Sequence, residues 1–320
     1  MKRVVVIGGG TGNFTVLRGL KKFKLDISAI VSMADDGGST GILRDDLGVL
    51  PPGDVRQCLV ALSNSSRLMR SLMNYRFETG GLGGHSFGNL FLSALEKVTG
   101  SFEKAVEELS RILYIKGRVI PVTTHHVRLK MILKNREMLD GEKEIYLSQE
   151  IDKGYSSIYL EPFPKANPHA IAEIKHADLI ILGPGGIYTS IIPNLLVGGI
   201  SDAIRNSHAK KVFVVNLMNR IGQTTGYKVS DYIEEIARYL GKDCFDYILV
   251  NKQKPPESLI QVYADEGELI ANDLHDGRVI EANLLGKLTE PKKNDLIKRN
   301  LIRHDSAKLA QEIMKIVNHL

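Results

Sequence analysis

The sequence of 320 residues predicts a doubly wound, mostly parallel α/β sheet that carries a helical insertion and a small β-rich excursion. Three observations lead there. Short β-branched runs recur, each nearly continuously apolar, as strands covered on both faces read. Helical stretches lie between most of them, the alternation expected of an α/β sheet. Glycine-rich or acidic turns follow several of the runs.

The first run, RVVVI (3–7), has a basic start and only a few apolar residues before glycine. A signal peptide needs a longer apolar stretch, so this is a first strand. FTVLRGLKKF supplies the following helix and ISAIV (27–31) the second strand. Residues 53–113 then read as helices: DVRQCLVALSN, SRLMRSLMNY, FGNLFLSALEKV and FEKAVEELSRIL. Residues 118–160 read as strands and hairpins, in HHVRLKMILKN, EKEIYLSQE and SSIYLE. The α/β rhythm resumes with LIILG (179–183), VGGISDAIRN, KVFVVNL (211–217), VSDYIEEIARYL and FDYILVN (245–251). The tail from Asp305 opens with an acid placed to cap a helix and continues with helical periodicity. No linker or repeat divides the chain, so residues 1–320 are expected to form one large domain.

Hydrophobic residues at 43% and charged residues at 25% allow a sizeable core. The net charge of +5 is spread along the chain. That suits small anions such as nucleotides and lacks the basic stripe of a nucleic-acid binder. Cys58 and Cys244 match no metal spacing, which favours packed thiols in a reducing compartment. No run approaches the ~20 apolar residues of a membrane span. The expected location is the cytoplasm.

Gly8, Gly9, Gly10, Thr11, Gly12 and Asn13 follow the first strand and enter a helix. Glycines let backbone approach a ligand, and the N–H groups at a helix start can face a phosphate. The pattern approximates G-x-G-x-x-G with Asn13 in the third glycine's place; a plain tight turn is the other reading. After the second strand come Asp35 and Asp36, then Gly37, Gly38, Ser39 and Gly41. One acid would suffice for a ribose. Two beside free backbone N–H groups suit a hard cation shared with phosphate oxygens, against the alternative of a solvated acidic turn.

In LPPGDVRQCLVAL, Asp54 is placed to cap a helix and Arg56 falls in its first turn, where the dipole disfavours a cation. Arg56 is held there for a ligand's anion or for a neighbouring acid. His85 and Asn89 share a face if the helix has begun by His85; His85 is then an acid–base or hydrogen-bonding group, or a capping residue. Gly183, Pro184, Gly185, Gly186, Tyr188, Thr189, Ser190 and Asn194 form a second glycine turn after LIIL. Ligands of open α/β sheets bind at that edge. His125 and His126 are adjacent, hence on opposite faces of a strand and poor joint metal ligands. No G-x-S-x-G, C-x-x-C, H-E-x-x-H or Walker pattern is present.

Taken in order, GGGTGNFTVLRGL, ADDGGSTGILRDDLGVLPPGDVRQCLVAL, GHSFGNLFLSAL, LGPGGIYTSIIPNLL and a terminal RHD resemble the gluconeogenesis-factor (YvcK-like) family. That family lies in the superfamily of the 2-phospho-L-lactate transferases. The resemblance spans residue 3 to about 310. It implies a Rossmann-like fold, a cytoplasmic protein, and binding of nucleotide sugars such as UDP-N-acetylglucosamine. It further implies a regulatory tie to central carbon metabolism, cell-wall precursor supply and cell shape, with no accepted reaction. The transferase branch instead moves a phospholactyl group from a nucleotide-activated donor with Mg²⁺.

On this chain the resemblance implies that Gly8 to Asn13 cradle phosphate while Asp35 and Asp36 face the phosphates directly or through Mg²⁺. Arg44 and Arg56 would add charge, and Gly183 to Ser190 would close the far side. Arg303, His304 and Asp305 match the RHD and would bring the last helix over the pocket, unless Asp305 only caps that helix. Expected ligands are a UDP-sugar first, GDP with Mg²⁺ second and NAD third. A regulatory protein partner and self-association both remain open. Arg220 and Ile221 depart from the family, which has a proline there, so the shape of that loop is left undecided.

Overall fold

The computed structural model describes residues 1–286 and 302–320. The strands are β1 (Arg3–Gly8), β2 (Asp26–Val31), β3 (Arg118–Pro121), β4 (Arg128–Leu133), β5 (Met138–Asp140), β6 (Tyr155–Glu161), β7 (Leu179–Leu182), β8 (Lys210–Val214), β9 (Tyr247–Asn251) and β10 (Val279–Ala282). Seven form one sheet in the order β10-β9-β8-β7-β1-β2-β3, every described pair parallel. β1 is buried from Val4 to Gly8 and β7 throughout, which is why both read as unbroken apolar runs. The chain steps outward from β1 to β3, returns, and steps outward the other way from β7. The order therefore reverses between β1 and β7, where loops leaving the strands diverge and open a crevice. The fold is the expected Rossmann-like α/β architecture.

α1 (Gly10–Leu20) links β1 to β2. Between β2 and β3 lie α2 (Gly38–Leu47), α3 (Gly53–Leu62), α4 (Arg67–Asn74), α5 (Phe87–Thr99) and α6 (Phe102–Ile112). The helical segment expected over 53–113 is thus an enlarged crossover of the main sheet, and it opens earlier, at Gly38. The segment 118–160 divides. Arg118–Pro121 pairs in parallel with β2 and belongs to the main sheet. Only β5-β4-β6 forms the separate antiparallel sheet. Its Leu129, Met131 and Leu160 join the same apolar cluster as Val4 and Ile30.

Within that excursion, EKEIYL, expected as a strand, is the helix α7 (Glu142–Leu147). Six residues do not hold a helix alone in water. Gly141 turns the chain at φ 126°, Glu142 and Glu144 complement the helix dipole, and Gln223 Nε2 donates to the end carbonyls of Ile145 (2.9 Å) and Tyr146 (2.7 Å). These partners come from elsewhere in the fold, so local sequence did not announce the helix. β10 was also not foreseen: it is a short edge strand with only Val279 and Ile280 as apolar signal, both half-buried.

The remaining helices are α8 (Pro168–Lys175), α9 (Ile192–Leu195), α10 (Ile200–Arg205), α11 (Val229–Leu240), α12 (Glu257–Val262) and α13 (Ser306–Asn318). Asp305 caps α13, accepting from Ala307 N (2.8 Å) and Lys308 N (3.0 Å). α13 packs on α1 at Gly19, where a Cβ would overlap the Ser306 carbonyl. Gly19→Ala is therefore expected to force the two helices apart and cost about 1–3 kcal/mol, read by urea unfolding, although alanine is the better helix former. An unchanged midpoint would show that the helices slide without penalty.

Candidate functional site

The two glycine turns meet. Gly12, in the first turn of α1, lies so close to the Pro184 carbonyl that any Cβ would overlap it. A Cβ at Gly9 would stand 2.7 Å from Ser190 Oγ. Asn194 Nδ2 donates to the Gly8 carbonyl (3.2 Å) and to the Ser190 carbonyl (2.7 Å), tying both turns together from below. Asn13 is wholly buried, with its amide oxygen 2.7 Å from where a Gly8 Cβ would be. It fills the place of a third glycine with a packed side chain. Gly185 is held from the next strand end: its N–H donates to Asn216 Oδ1 and its carbonyl accepts from Asn216 Nδ2, both at 2.8 Å.

Acids converge on this junction. Asp54 sits in the first turn of α3 and does not cap it, because Pro52 occupies the cap position. Its carboxylate lies against Gly10 and Gly9, 2.9 Å from a Gly9 Cβ. Asp35 accepts from Gly37 N (3.0 Å), and a Cβ on Gly53 would come within 2.7 Å of it. Glu142, which the sequence did not flag, enters from α7. All three carboxyls are pushed up. Burial leads in each case, and mutual charge adds to it. Asp54 is pushed to about 8 by burial and then by Asp35, against pulls from the Gly10 N–H and Arg56. Glu142 is pushed to about 9 by burial and then by Asp35, Asp54 and Asp36, against the Thr189 hydroxyl. Asp35 is raised by burial, against the Gly37 N–H and the Thr40 hydroxyl, with Asp36 raising it further.

Asp36 parts from Asp35. Its Oδ1 accepts from Lys143 N (2.7 Å) and its Oδ2 faces Arg128 Nη2 (3.7 Å), so it fastens α7 and β4 to the glycine-rich turn. The adjacent acids that looked like a metal pair have different work. Asp54, in the first turn of α3, is the acid that faces the first glycine turn, and Asp35, from the loop after β2, acts on it through charge.

A polar chain runs behind α2. Its helix starts at Gly38, Ser39 is buried, and Ser39 Oγ meets His85 Nδ1 (3.0 Å) and Asn89 Nδ2 (3.3 Å). Helix α5 begins at Phe87 with Ser86 as cap, so His85 precedes it and is not the capping residue. His85 and Asn89 still converge, because Ser39 lies between them. Arg56 Nε donates to Asn89 Oδ1 (2.8 Å) and its Nη1 to Asn74 Oδ1 (2.7 Å), which offsets its unfavourable place in the first turn of α3. Arg44 is only 9% exposed and its Nη1 has no hydrogen-bond partner, an orphaned cationic donor beside Asp35. Thr11 is exposed and donates to Gln57 (3.1 Å).

One expected residue stands apart. Tyr188 is 1% exposed and turns into the core, its hydroxyl 3.0 Å from that of Tyr227. His304 forms a strand-like bridge with Leu285, the Arg303 carbonyl accepts from Gly286 N (2.7 Å), and the neighbouring Ile302 packs with Leu217, Met218 and Tyr263. Burial lowers His304 to about 4, leaving a neutral imidazole. Arg220, the family departure, stacks its guanidinium 3.7 Å from the Tyr146 ring centre and so buttresses α7. His125 and His126 are exposed, as expected of surface residues.

Sequence reasoning missed Glu142, Thr40 and Asn216. Asn216 was recoverable, since it follows β8 at the same sheet edge as the glycine turns; Glu142 had no local signal. A cleft of about 400 Å³ lies elsewhere, along β3 between α6 and α8. Several of its polar groups pair with neighbours: Arg118 with Asp26 and Glu173, and Asn167 with Glu103. The unsatisfied charge is at the glycine turns, and the candidate site is placed there.

A parallel sheet with switch-point turns of this kind defines a Rossmann-like α/β protein, and the family profile described as 2-phospho-L-lactate transferase CofD matches residues 4–285. The chain belongs to that family, within its gluconeogenesis-factor branch. A Thermotoga maritima protein provisionally named a gluconeogenesis factor is 44% identical over 321 residues, covering 98% of this chain and 99% of its own. The gluconeogenesis factor of Bacillus subtilis is 37% identical over 318 residues, covering 98% of each. A crystal structure of a UPF0052-family protein from Bacillus halodurans superimposes with a TM-score of 0.89 at 37% identity, covering 98% of this chain and 100% of the other.

The raised carboxyls set a pH dependence. Their folded values lie above the ordinary carboxylate range, so between about pH 4 and 9 these carboxyls hold more protons in the folded protein than in the unfolded chain, and their contribution to stability falls as pH rises. The ligand-free protein should lose melting temperature from pH 5 to pH 9, and Glu142→Gln should flatten that decline. A decline of equal slope in the variant would remove Glu142 from the cluster.

Proposed function

We propose that the protein binds a nucleoside-diphosphate sugar of the UDP-N-acetylglucosamine class across the β1–β7 crevice, as its Mg²⁺ complex. On this reading it acts in the cytoplasm as a regulator of gluconeogenic growth, cell-wall precursor supply and cell shape. One observation carries the ligand reading: the start of α1, where a phosphate would ordinarily sit, already faces the Asp54 carboxylate, with Asp35 and Glu142 beside it. A bare diphosphate would repel the charged form of these carboxyls and keep them protonated. A shared divalent cation reverses the sign.

The residues fit Mg²⁺ in that shared role. Among the described residues no three His, Cys, Asp or Glu side chains form a metal site by themselves. Mg²⁺ commonly takes one or two carboxylates and completes its shell with phosphate oxygens and water. Asp35 and Asp54 would hold it, and when bound it would neutralise phosphate charge. The orphaned Nη1 of Arg44 supplies a further anion donor. On this reading His85, whose Nδ1 meets Ser39 Oγ, would hydrogen-bond a sugar or base through its other nitrogen. The relatives' name, gluconeogenesis factor, supports the metabolic setting.

A second reading, a Mg²⁺-dependent transferase, rests on the family match and on the same carboxylates. Asp35 and Asp54 would then hold donor phosphates while a leaving group departs. NAD is the weaker candidate, since Asp35 faces other carboxylates where a ribose-binding acid would face open solvent.

Calorimetric titration with UDP-N-acetylglucosamine, GDP and NAD, with and without Mg²⁺, tests the proposal. The UDP-sugar is expected to bind at least about tenfold tighter with Mg²⁺, a gain of about 1.4 kcal/mol, and Asp54→Asn should remove that dependence. Affinity equal with and without the cation would overturn the shared-metal site. Consumption of a donor nucleotide in the presence of an acceptor would move the function to the transferase.

A further inference from the structure

The main sheet ends at β3, and that end is open. β3 pairs with β2 on one side, from Ser28 opposite Arg118 to Val31 opposite Pro121. Val122 N donates to the Val31 carbonyl (2.9 Å), so alternation turns the main-chain groups of Ile120 and Arg118 to β2 as well. Those of Val119 and Pro121 turn outward. Among the described residues no hydrogen bond from a helix or loop reaches either of them.

The cleft of about 400 Å³ between α6 and α8 is the space over this edge, with Gly117, Val119 and Pro121 in its lining. Arg118 sends its side chain to Glu173 of α8, so strand alternation puts the Val119 side chain on the opposite face, with α6. From α6, Glu103, Val106, Glu107 and Ser110 line the cleft, spaced three and four apart on one side of the helix. The two helices flank opposite faces of the sheet and leave a slot in which one more strand would continue it. Pro121 lacks one outward donor, which limits the edge to the Val119 N–H, the Val119 carbonyl and the Pro121 carbonyl. Those groups suit a short segment.

Charge selects what fits. Both arginines that line the cleft are already engaged, Arg118 by Asp26 and Glu173 and Arg111 by Glu108. The acids on the α6 wall have no cation. Glu103 accepts from Asn167 Nδ2 (2.7 Å), and Glu107 is exposed and makes no ion pair among the described residues. Two copies of this chain paired edge to edge about a twofold axis would set one α6 wall, and its Glu107, beside the other. A segment with lysine or arginine at alternate positions would meet complementary charge.

We propose that the β3 edge takes up an extended basic segment of a partner protein as a further strand. The segment's main chain bonds Val119 and Pro121, and its alternate lysine or arginine side chains pair with Glu103 and Glu107. Strand addition of this kind draws affinity from main-chain hydrogen bonds and specificity from alternate side chains. The edge lies at the end of the sheet, two strands from β1, so this docking stands independently of the nucleotide reading.

Fluorescence anisotropy on the full chain tests it with a labelled peptide of about nine residues, lysine alternating with valine. With glutamate in place of lysine the peptide should bind at least about tenfold more weakly. Alternate N–H groups of a strand point to opposite edges, so N-methylating the lysines and N-methylating the valines block different edges. One of the two should lower affinity at least about tenfold by removing bonds to β3, and the other should leave it within about twofold. Glu107→Lys should weaken binding at least about fivefold with an unchanged melting temperature, since that side chain is exposed. No binding of the lysine peptide, equal effects of the two N-methylations, or unchanged affinity in Glu107→Lys would each overturn the proposal. So would a dimer of the full chain, seen by sedimentation, that the lysine peptide dissociates, because the occupant would then be a second copy.

Discussion

The geometry of the site depends on one close approach, that of the Pro184 carbonyl to Gly12. β1 and β7 are paired neighbours, with Ile7 opposite Leu182, so their outgoing turns start side by side. They can remain in contact only where one of them carries no Cβ. From that contact the rest follows in order. Ser190 comes against Gly9, and Asn194 reaches the Gly8 carbonyl. Asn216 clamps Gly185 from β8, and the chain beyond it supplies Gln223 and Arg220 to α7. Glu142 therefore owes its place at the junction to a contact made by residues far from it in sequence.

The price of this arrangement is electrostatic. Burial raises all three carboxyls, Asp35 raises Asp54 and Glu142 further, and the cation beside them, Arg44, keeps an unpaired nitrogen. A core would avoid such a cluster. Where local rules are broken without local compensation, a function commonly accounts for the breach. The broad apolar cluster shared by both sheets supplies the stability that lets the edge remain strained. Asp36 shows the contrast: an acid of the same turn whose charge is answered by Arg128 and the Lys143 N–H is a structural fastener.

Much of the fold was legible because burial on both faces writes itself into sequence. VVVI, SAIV, LIIL, VFVV and YILV all became strands of the parallel sheet, and VSDYIEEIARYL became α11 with the same ends. Elements at the margin were not legible in the same way. β10 is a half-buried edge strand, and α7 is six residues long and held by Gln223, so neither has a pattern strong enough to stand above its surroundings.

The site divides along the same line. By itself the sequence determined that glycine turns and acids follow the strands and face one sheet edge, since strand polarity puts every such loop at the carboxyl ends. Which acids meet there was decided only by tertiary structure. Asp35 joins Asp54 and Glu142, whereas Asp36 turns to Arg128, although the two aspartates are adjacent and chemically identical. Adjacency along the chain fixes where a carboxylate begins; its electrostatic role is set by the groups that packing brings against it, some of them, such as the Lys143 N–H on Asp36, from segments about a hundred residues away.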